Sequence, residues 1–197
     1  MALSQLDVIT AAQMARAVYN KPADWSVYSE ADTTWLAIEG SDCGLDWRRN
    51  LEFLLSSDDQ HLGFKNYSTR LMAEMLASGV YFSRAKHLIV TGHSLGGAVA
   101  TIIAAALQDQ IPRLDLVTFG SPRPGGRKFR QRLRVPHKRF VHGNDVVPQL
   151  PLSAFGFRHT APAEHLVVPG VVVPSDRLIH GVKDHAMDGY LLALLYA

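Results

Sequence analysis

The chain has 197 residues and one cysteine, Cys43. A single thiol excludes an intrachain disulfide framework and a cysteine-rich zinc site. No apolar run approaches the length of a membrane-spanning helix. The opening residues, Met1-Ala-Leu-Ser-Gln-Leu-Asp7, have no basic segment leading into an apolar one. No secretory leader is read there, and the default compartment is cytoplasmic. Strong charge of either sign is also missing: 20 Lys and Arg stand against 18 Asp and Glu. Basic residues do crowd between Arg113 and Arg139, against the single acid Asp115. That run is read as a solvated helix face plus loop, and no nucleic-acid partner is expected. Internal repeats and low-complexity linkers are absent. Hydrophobic residues make up 47% of the chain, which excludes wholesale disorder. The length suits one domain, taken as residues 1–197.

What is present is most concentrated in His87-Leu-Ile-Val-Thr-Gly-His-Ser94-Leu-Gly-Gly-Ala98. A short strand pattern runs into Gly92-x-Ser94-x-Gly96, and an Ala-rich helical pattern follows at once. Strand, sharp turn and helix with a serine at the apex describe a nucleophile elbow. The five-residue motif alone is short. The strand before it and the helix after it are the context that gives it weight.

Around this stretch, strand and helix patterns alternate. A helix opens at Ser4 with a capping box to Asp7 and runs to about Tyr19, with Leu6, Ile9, Ala12 and Ala17 as its inward face. Trp25–Tyr28 and Thr33–Ile38 read as strands. A helix over Asn66–Ser78 turns Leu71, Met75 and Leu76 inward and stops at Gly79. The helix after Ser94 extends to about Gln110. Strands follow at Leu114–Phe119 and Lys138–Val141, with a helix from about Gly126 to Leu133 between them. Loops dominate Val146–Glu164. His165–Val168 and Val171–Val173 read as a hairpin or paired edge strands, and Ala186–Tyr196 as a final helix. Alternation of this kind predicts an α/β fold: a mostly parallel sheet with helices on both faces. Functional residues of such sheets gather at the C-terminal strand ends.

A serine hydroxyl needs a base to take its proton, and the base needs an acid to hold its tautomer. In chain order the acid and then the histidine follow the serine. Asp145, in His142-Gly-Asn-Asp-Val-Val-Pro148, is the acid candidate. Asp115 begins its strand, at the wrong edge of the sheet. Asp176 and Asp184 come late and read as surface residues. Among nine histidines, His61 and His87 precede the serine, His93 adjoins it on a turn that points neighbours apart, and His142 precedes the acid. His159 and His165 follow the acid closely. His185 is the base candidate, because it lies just before a final helix that can anchor its loop; His180 remains the alternative. The oxyanion needs N–H donors. Leu95 should supply one, and Ser41, after Gly40 at the end of an earlier strand, the other.

These segments resemble the class 3 lipases, the family typified by fungal triacylglycerol lipases. The resemblance rests on Gly40-Ser41 with Asp46-Trp47-x-x-Asn50-Leu51, on His61-x-Gly63-Phe64, and on Gly92-His-Ser-Leu-Gly-Gly97. It also rests on Phe119-Gly-Ser-Pro-Arg123, Asn144-Asp-Val-Val-Pro148 and Leu150-Pro-Leu-Ser-Ala-Phe-Gly-Phe-Arg-His159. It implies an α/β-hydrolase fold and hydrolysis of carboxylic esters through an acyl-enzyme. Ser94 would be nucleophile, Asp145 acid, His185 base, and Ser41 and Leu95 the oxyanion donors. No metal or organic cofactor is implied. The segment 42–53 matches the family's lid, with Leu45, Trp47 and Leu51 toward substrate; an amphipathic helix packed permanently on the domain is the alternative. The chain departs from the family at Glu39, where arginine is usual. Acylglycerols or similar esters are the expected substrates, and a lipid interface a transient contact. A phospholipase or feruloyl-type esterase on the same scaffold is the alternative, as is a non-catalytic lipid-binding module.

Overall fold

A computed structural model describes residues 3–40, 54–82, 85–168, 181 and 183–197. Six strands form one sheet in the order β1 (Trp25–Glu30), β2 (Thr33–Ile38), β3 (His87–His93), β4 (Leu114–Phe119), β5 (His137–His142) and β6 (Ala163–Leu166). β1 is antiparallel to β2, and every later pairing is parallel. The helices are α1 (Gln5–Ala17), α2 (Leu62–Ala77), α3 (Leu95–Leu107), α4 (Arg127–Arg132) and α5 (Met187–Leu195). This is the expected α/β-hydrolase architecture.

Spatial order follows chain order, so the sheet grows in one direction. Right-handed crossovers then fall on a single face. Leu36, Leu88, Val90, Leu116, Leu71, Ile103 and Phe129 pack together on that face with α2, α3 and α4. Among the described residues no crossover helix covers the opposite face. Helices near the two chain ends do so instead: Val8, Ala11, Ala12 and Ala15 of α1 and Met187, Tyr190 and Leu194 of α5 pack on Trp35, Ile89, Val117 and Phe119. All seven residues of β3 are buried, as a central parallel strand requires. Each fully buried Leu or Ile contributes roughly 1.5–3 kcal/mol.

Local signals and packing disagree in several places. The Ser4 box forms: Asp7 N–H donates to Ser4 Oγ at 3.1 Å and Ser4 N–H to Asp7 Oδ2 at 2.9 Å. The inward face of α1, however, is Val8, Ala11, Ala12 and Ala15, while Leu6 is 72% exposed and Ala17 also faces solvent. The helix approaches the sheet closely enough for Thr91 Oγ1 to donate to Ala11 O at 3.2 Å, and small side chains permit that approach. In α2, Leu71 and Met75 are buried but Leu76 is 57% exposed. That helix also starts four residues early, because the His61 ring accepts the Phe64 N–H at 3.3 Å as a cap. Gly79 does close the turn, with φ +76°. β6 starts at Ala163 and pairs parallel with β5; Val171–Val173 lie outside the described residues. No described helix is long and apolar enough to cross a membrane.

Candidate active site

β3 delivers Ser94 to the C-terminal edge of the sheet. Its backbone sits at φ 57°, ψ −131°, a region that strains any residue with a side chain. The turn closes because its glycines leave no room for anything larger. A Cβ at Gly92 would lie 2.4 Å from Gly96 O, and one at Gly96 2.3 Å from Ile38 O. Ser94 N–H is held by Phe119 O at 2.9 Å. Leu95 is the first residue of α3, so its N–H has no acceptor within the helix.

Three loops converge on the serine. Its Oγ lies 2.8 Å from His185 Nε2, and His185 Nδ1 lies 2.8 Å from Asp145 Oδ2. With Nδ1–H donating to the carboxylate, Nε2 is the acceptor for the serine proton. Asp145 Oδ2 also accepts from Tyr190 Oη at 2.6 Å, and Oδ1 from Val147 N–H at 2.9 Å. The Asp145 side chain is completely buried and the Tyr190 ring with it. Burial, with the carboxylate beside it, pushes the Tyr190 phenol well above its ordinary value, so it remains a donor. Gly120 passes beneath the group at φ +56°, where a Cβ would meet Asp145 Oδ2 at 2.7 Å and the His185 ring at 3.0 Å.

Ser94, Asp145 and His185 are thus brought together as the motifs and chain order suggest. Ser41, Leu45, Trp47 and Leu51 lie outside the described residues, as does the alternative base His180. Asp115 sits at the opposite end of the sheet, 2.7 Å from His87 Nε2. Asp184 is not the surface residue its position suggests. Its carboxylate accepts the Asn144 N–H at 2.7 Å, and Gly143, at φ +50°, would place a Cβ 2.5 Å from the same oxygen. The residue before His185 therefore ties down the loop that carries Asp145.

Sequence reasoning missed two supports, Tyr190 and His93. The His93 ring reaches the backbone of His185. Nε2–H donates to His185 O at 2.7 Å, and Nδ1 accepts from Tyr19 Oη at 2.9 Å. Burial, together with the nearby His185 ring, pushes the His93 pKa down to about 3, so the ring stays neutral in this bridging role. A tyrosine five residues beyond the base, at the helical position that faces the acid, was the available signal for Tyr190. For His93 no local signal existed.

Chemically, the set can move the serine proton onto His185 as Oγ attacks, with Asp145 stabilising the imidazolium. Among the described residues no cluster of His, Cys, Asp or Glu could hold a metal ion.

Comparison with known proteins places this geometry. A relative from Fusarium solani, "Secreted mono- and diacylglycerol lipase 1", is 36% identical over 139 residues, covering 64% of this chain and 42% of the relative. Vibrio cholerae "Toxin TseL" is 38% identical over 94 residues, 46% of this chain and 14% of that protein. The chain therefore spans well under half the length of these curated relatives. The Fusarium protein is by name secreted, which lends no support to the cytoplasmic default read from the N-terminal residues. The mono- and diacylglycerol lipase structure from Aspergillus oryzae superposes with a TM-score of 0.68 over 98% of both chains at 17% identity, which establishes the shared fold. The family model "Lipase (class 3)" matches residues 35–155, more than half of the chain. The chain belongs to the class 3 lipase family.

Proposed function

We propose that this chain is a serine carboxylic-ester hydrolase acting on acylglycerols or similar esters. The carrying observation is the pair of 2.8 Å contacts that links Ser94 Oγ, the His185 ring and Asp145 Oδ2 on a strained elbow. Ser94 Oγ attacks the ester carbonyl carbon while its proton passes to His185 Nε2. The tetrahedral oxyanion is held by the N–H groups of Leu95 and Ser41. The intermediate collapses, the alcohol leaves with the proton from His185, and the acyl group remains on Ser94. Water, deprotonated by His185, then attacks the acyl-enzyme and releases the carboxylic acid.

The acylglycerol preference is supported by family membership and by the names of the Fusarium and Aspergillus relatives. In this reading residues 1–197 form one domain, and Leu45, Trp47 and Leu51 in segment 42–53, which the family match spans, face the acyl chain.

The test is labelling by a fluorophosphonate probe, followed by turnover of p-nitrophenyl esters of graded chain length and of emulsified mono- and diacylglycerols. The probe should modify Ser94, and Ser94→Ala should abolish both labelling and turnover. An unlabelled, folded wild-type protein that hydrolyses none of these esters overturns the reading.

A further inference from the structure

In the basic run between Arg113 and Arg139, one arginine is buried and another half-buried. Arg139 on β5 is 7% exposed. Its Nε–H donates to Ala161 O at 3.0 Å, and its Nη1 is buried with no partner among the described residues. Arg123 is half-buried, donating from Nη1 to Pro151 O at 2.6 Å and to Gln149 O. Both line a cavity of about 320 Å³ on the sheet face opposite α1 and α5, together with Asn144, His159, Ala163 and His165.

Among the described residues this neighbourhood is cationic and holds no carboxylate paired with Arg139. His159 spends its Nε2–H on Pro148 O at 2.7 Å. The nearby His137 ring is bound between Thr118 Oγ1 and Thr160 Oγ1, each at 2.8 Å. Burial and the adjacent arginines push both rings down to about 3, so they stay neutral. Burial and Arg123 press Arg139 down to about 10, which still leaves its guanidinium charged at neutral pH. Among the described residues the one carboxylate on the cavity wall is Asp145, whose side chain is fully buried and turned to His185 and Tyr190. A buried guanidinium without a nearby counter-charge costs free energy that an anion in the cavity would offset.

We propose that this cavity is a binding site for a phosphate-class oxyanion, with Arg139 as its principal anchor and Arg123 as a second cationic wall. A guanidinium is a favoured cationic partner of phosphate oxygens. Two cationic walls suit a phosphate, which is largely a dianion at pH 7.5, better than a singly charged carboxylate. At ~30 Å³ per water, the cavity has the volume of about ten waters, enough for a phosphate with a small alcohol substituent. The site is separate from the ester-cleaving group and independent of the hydrolytic reading. It shares with that group only the loop 143–149, which lines the cavity on one side and carries Asp145 on the other.

The test is isothermal titration of the intact chain at pH 7.5 with sodium phosphate, sn-glycerol 3-phosphate and sodium acetate, ionic strength being held constant with sodium chloride. Both phosphates should bind at low millimolar concentration or tighter, and acetate at least tenfold more weakly. Equal affinities for the two phosphates identify the phosphoryl group alone as the ligand. A tenfold preference for the glycerol ester identifies a headgroup source for the same chemistry. Arg139→Met should weaken phosphate at least tenfold. Ala163 pairs with Arg139 across the ladder, so Ala163→Asp supplies the missing counter-ion from within. It should abolish phosphate binding and keep the proposal testable if Arg139→Met does not fold. Absence of phosphate binding to the wild type overturns the proposal. So do acetate binding as tight as phosphate and phosphate binding undiminished in both variants.

Discussion

Tyr190 Oη and His185 Nδ1 share one oxygen of Asp145, at 2.6 and 2.8 Å. The carboxylate is therefore clamped from two directions, and its other oxygen is occupied by the Val147 N–H. An acid held in this way presents one fixed lone-pair direction to the histidine. Tyr190 does not touch the serine or the space before it, so it is a positioning residue.

Tyr190→Phe removes the phenol and leaves the Asp145 contacts to His185 and Val147 intact. A hydrogen bond to a charged group contributes about 2 kcal/mol, which for a chain of this size is about 4–8 °C in Tm. We expect that loss together with a roughly tenfold fall in kcat at nearly constant KM. Steady-state kinetics on a short-chain p-nitrophenyl ester checks it. A variant with lowered Tm and unchanged kcat would assign Tyr190 to packing alone.

Ser94→Gly should uncouple activity from stability. The residue is held at φ 57°, ψ −131°, a conformation costing about 1–3 kcal/mol for a residue with a Cβ and little for glycine. Losing the hydroxyl contact to His185 offsets part of that relief. The expected net gain is about 1 kcal/mol, or about 2–4 °C in Tm, with ester hydrolysis abolished. Calorimetry beside the activity assay reads both quantities.

Acid should unfold this protein early. Burial is the leading cause that pushes His61 down to about 4 and His93, His137 and His159 down to about 3. Unfolded, these rings take up protons near pH 6.5. Between about pH 6.5 and 3 the unfolded chain thus binds more protons than the folded one, and stability rises with pH through that window. It is complete above about 6.5 and is lost as pH falls. Each ring contributes up to about 1.4 kcal/mol per pH unit. Urea midpoints should decline steadily from pH 7 to 5, and His159→Gln should flatten the slope by up to one proton. A midpoint independent of pH over that range would show that these rings protonate without unfolding.

The elbow was legible because every part of it is local. β3, the glycines, Ser94 and α3 fall within one continuous stretch, and each glycine is demanded by a neighbour only a few residues away or by the adjacent β2. Asp145 was legible through its place just past a strand end. The errors arose where packing, not periodicity, decided the outcome. α1 turns its alanines inward because it lies close on β3, whereas the bulkier Leu6 is left to solvent. α2 begins at Leu62 because a histidine ring substitutes for the usual hydroxyl or carboxylate cap.

Chain order and strand-end logic by themselves determined the fold class and the elbow serine and pointed to Asp145 as its acid candidate, while the final helix favoured His185 over His180 as the base candidate. These follow from short-range patterns and from the rule that parallel strands point their C-terminal ends to one edge. Only the tertiary structure decided that Asp184 fastens the loop carrying Asp145, that His93 braces the backbone of His185, that Tyr190 clamps Asp145, and that Arg139 turns inward with its Nη1 unpaired among the described residues. Each of these depends on which residues, tens of positions apart, meet when helices near the two chain ends cover the face that the crossovers leave bare. That meeting is set by the register and packing of the sheet, and no local pattern in the chain encodes it.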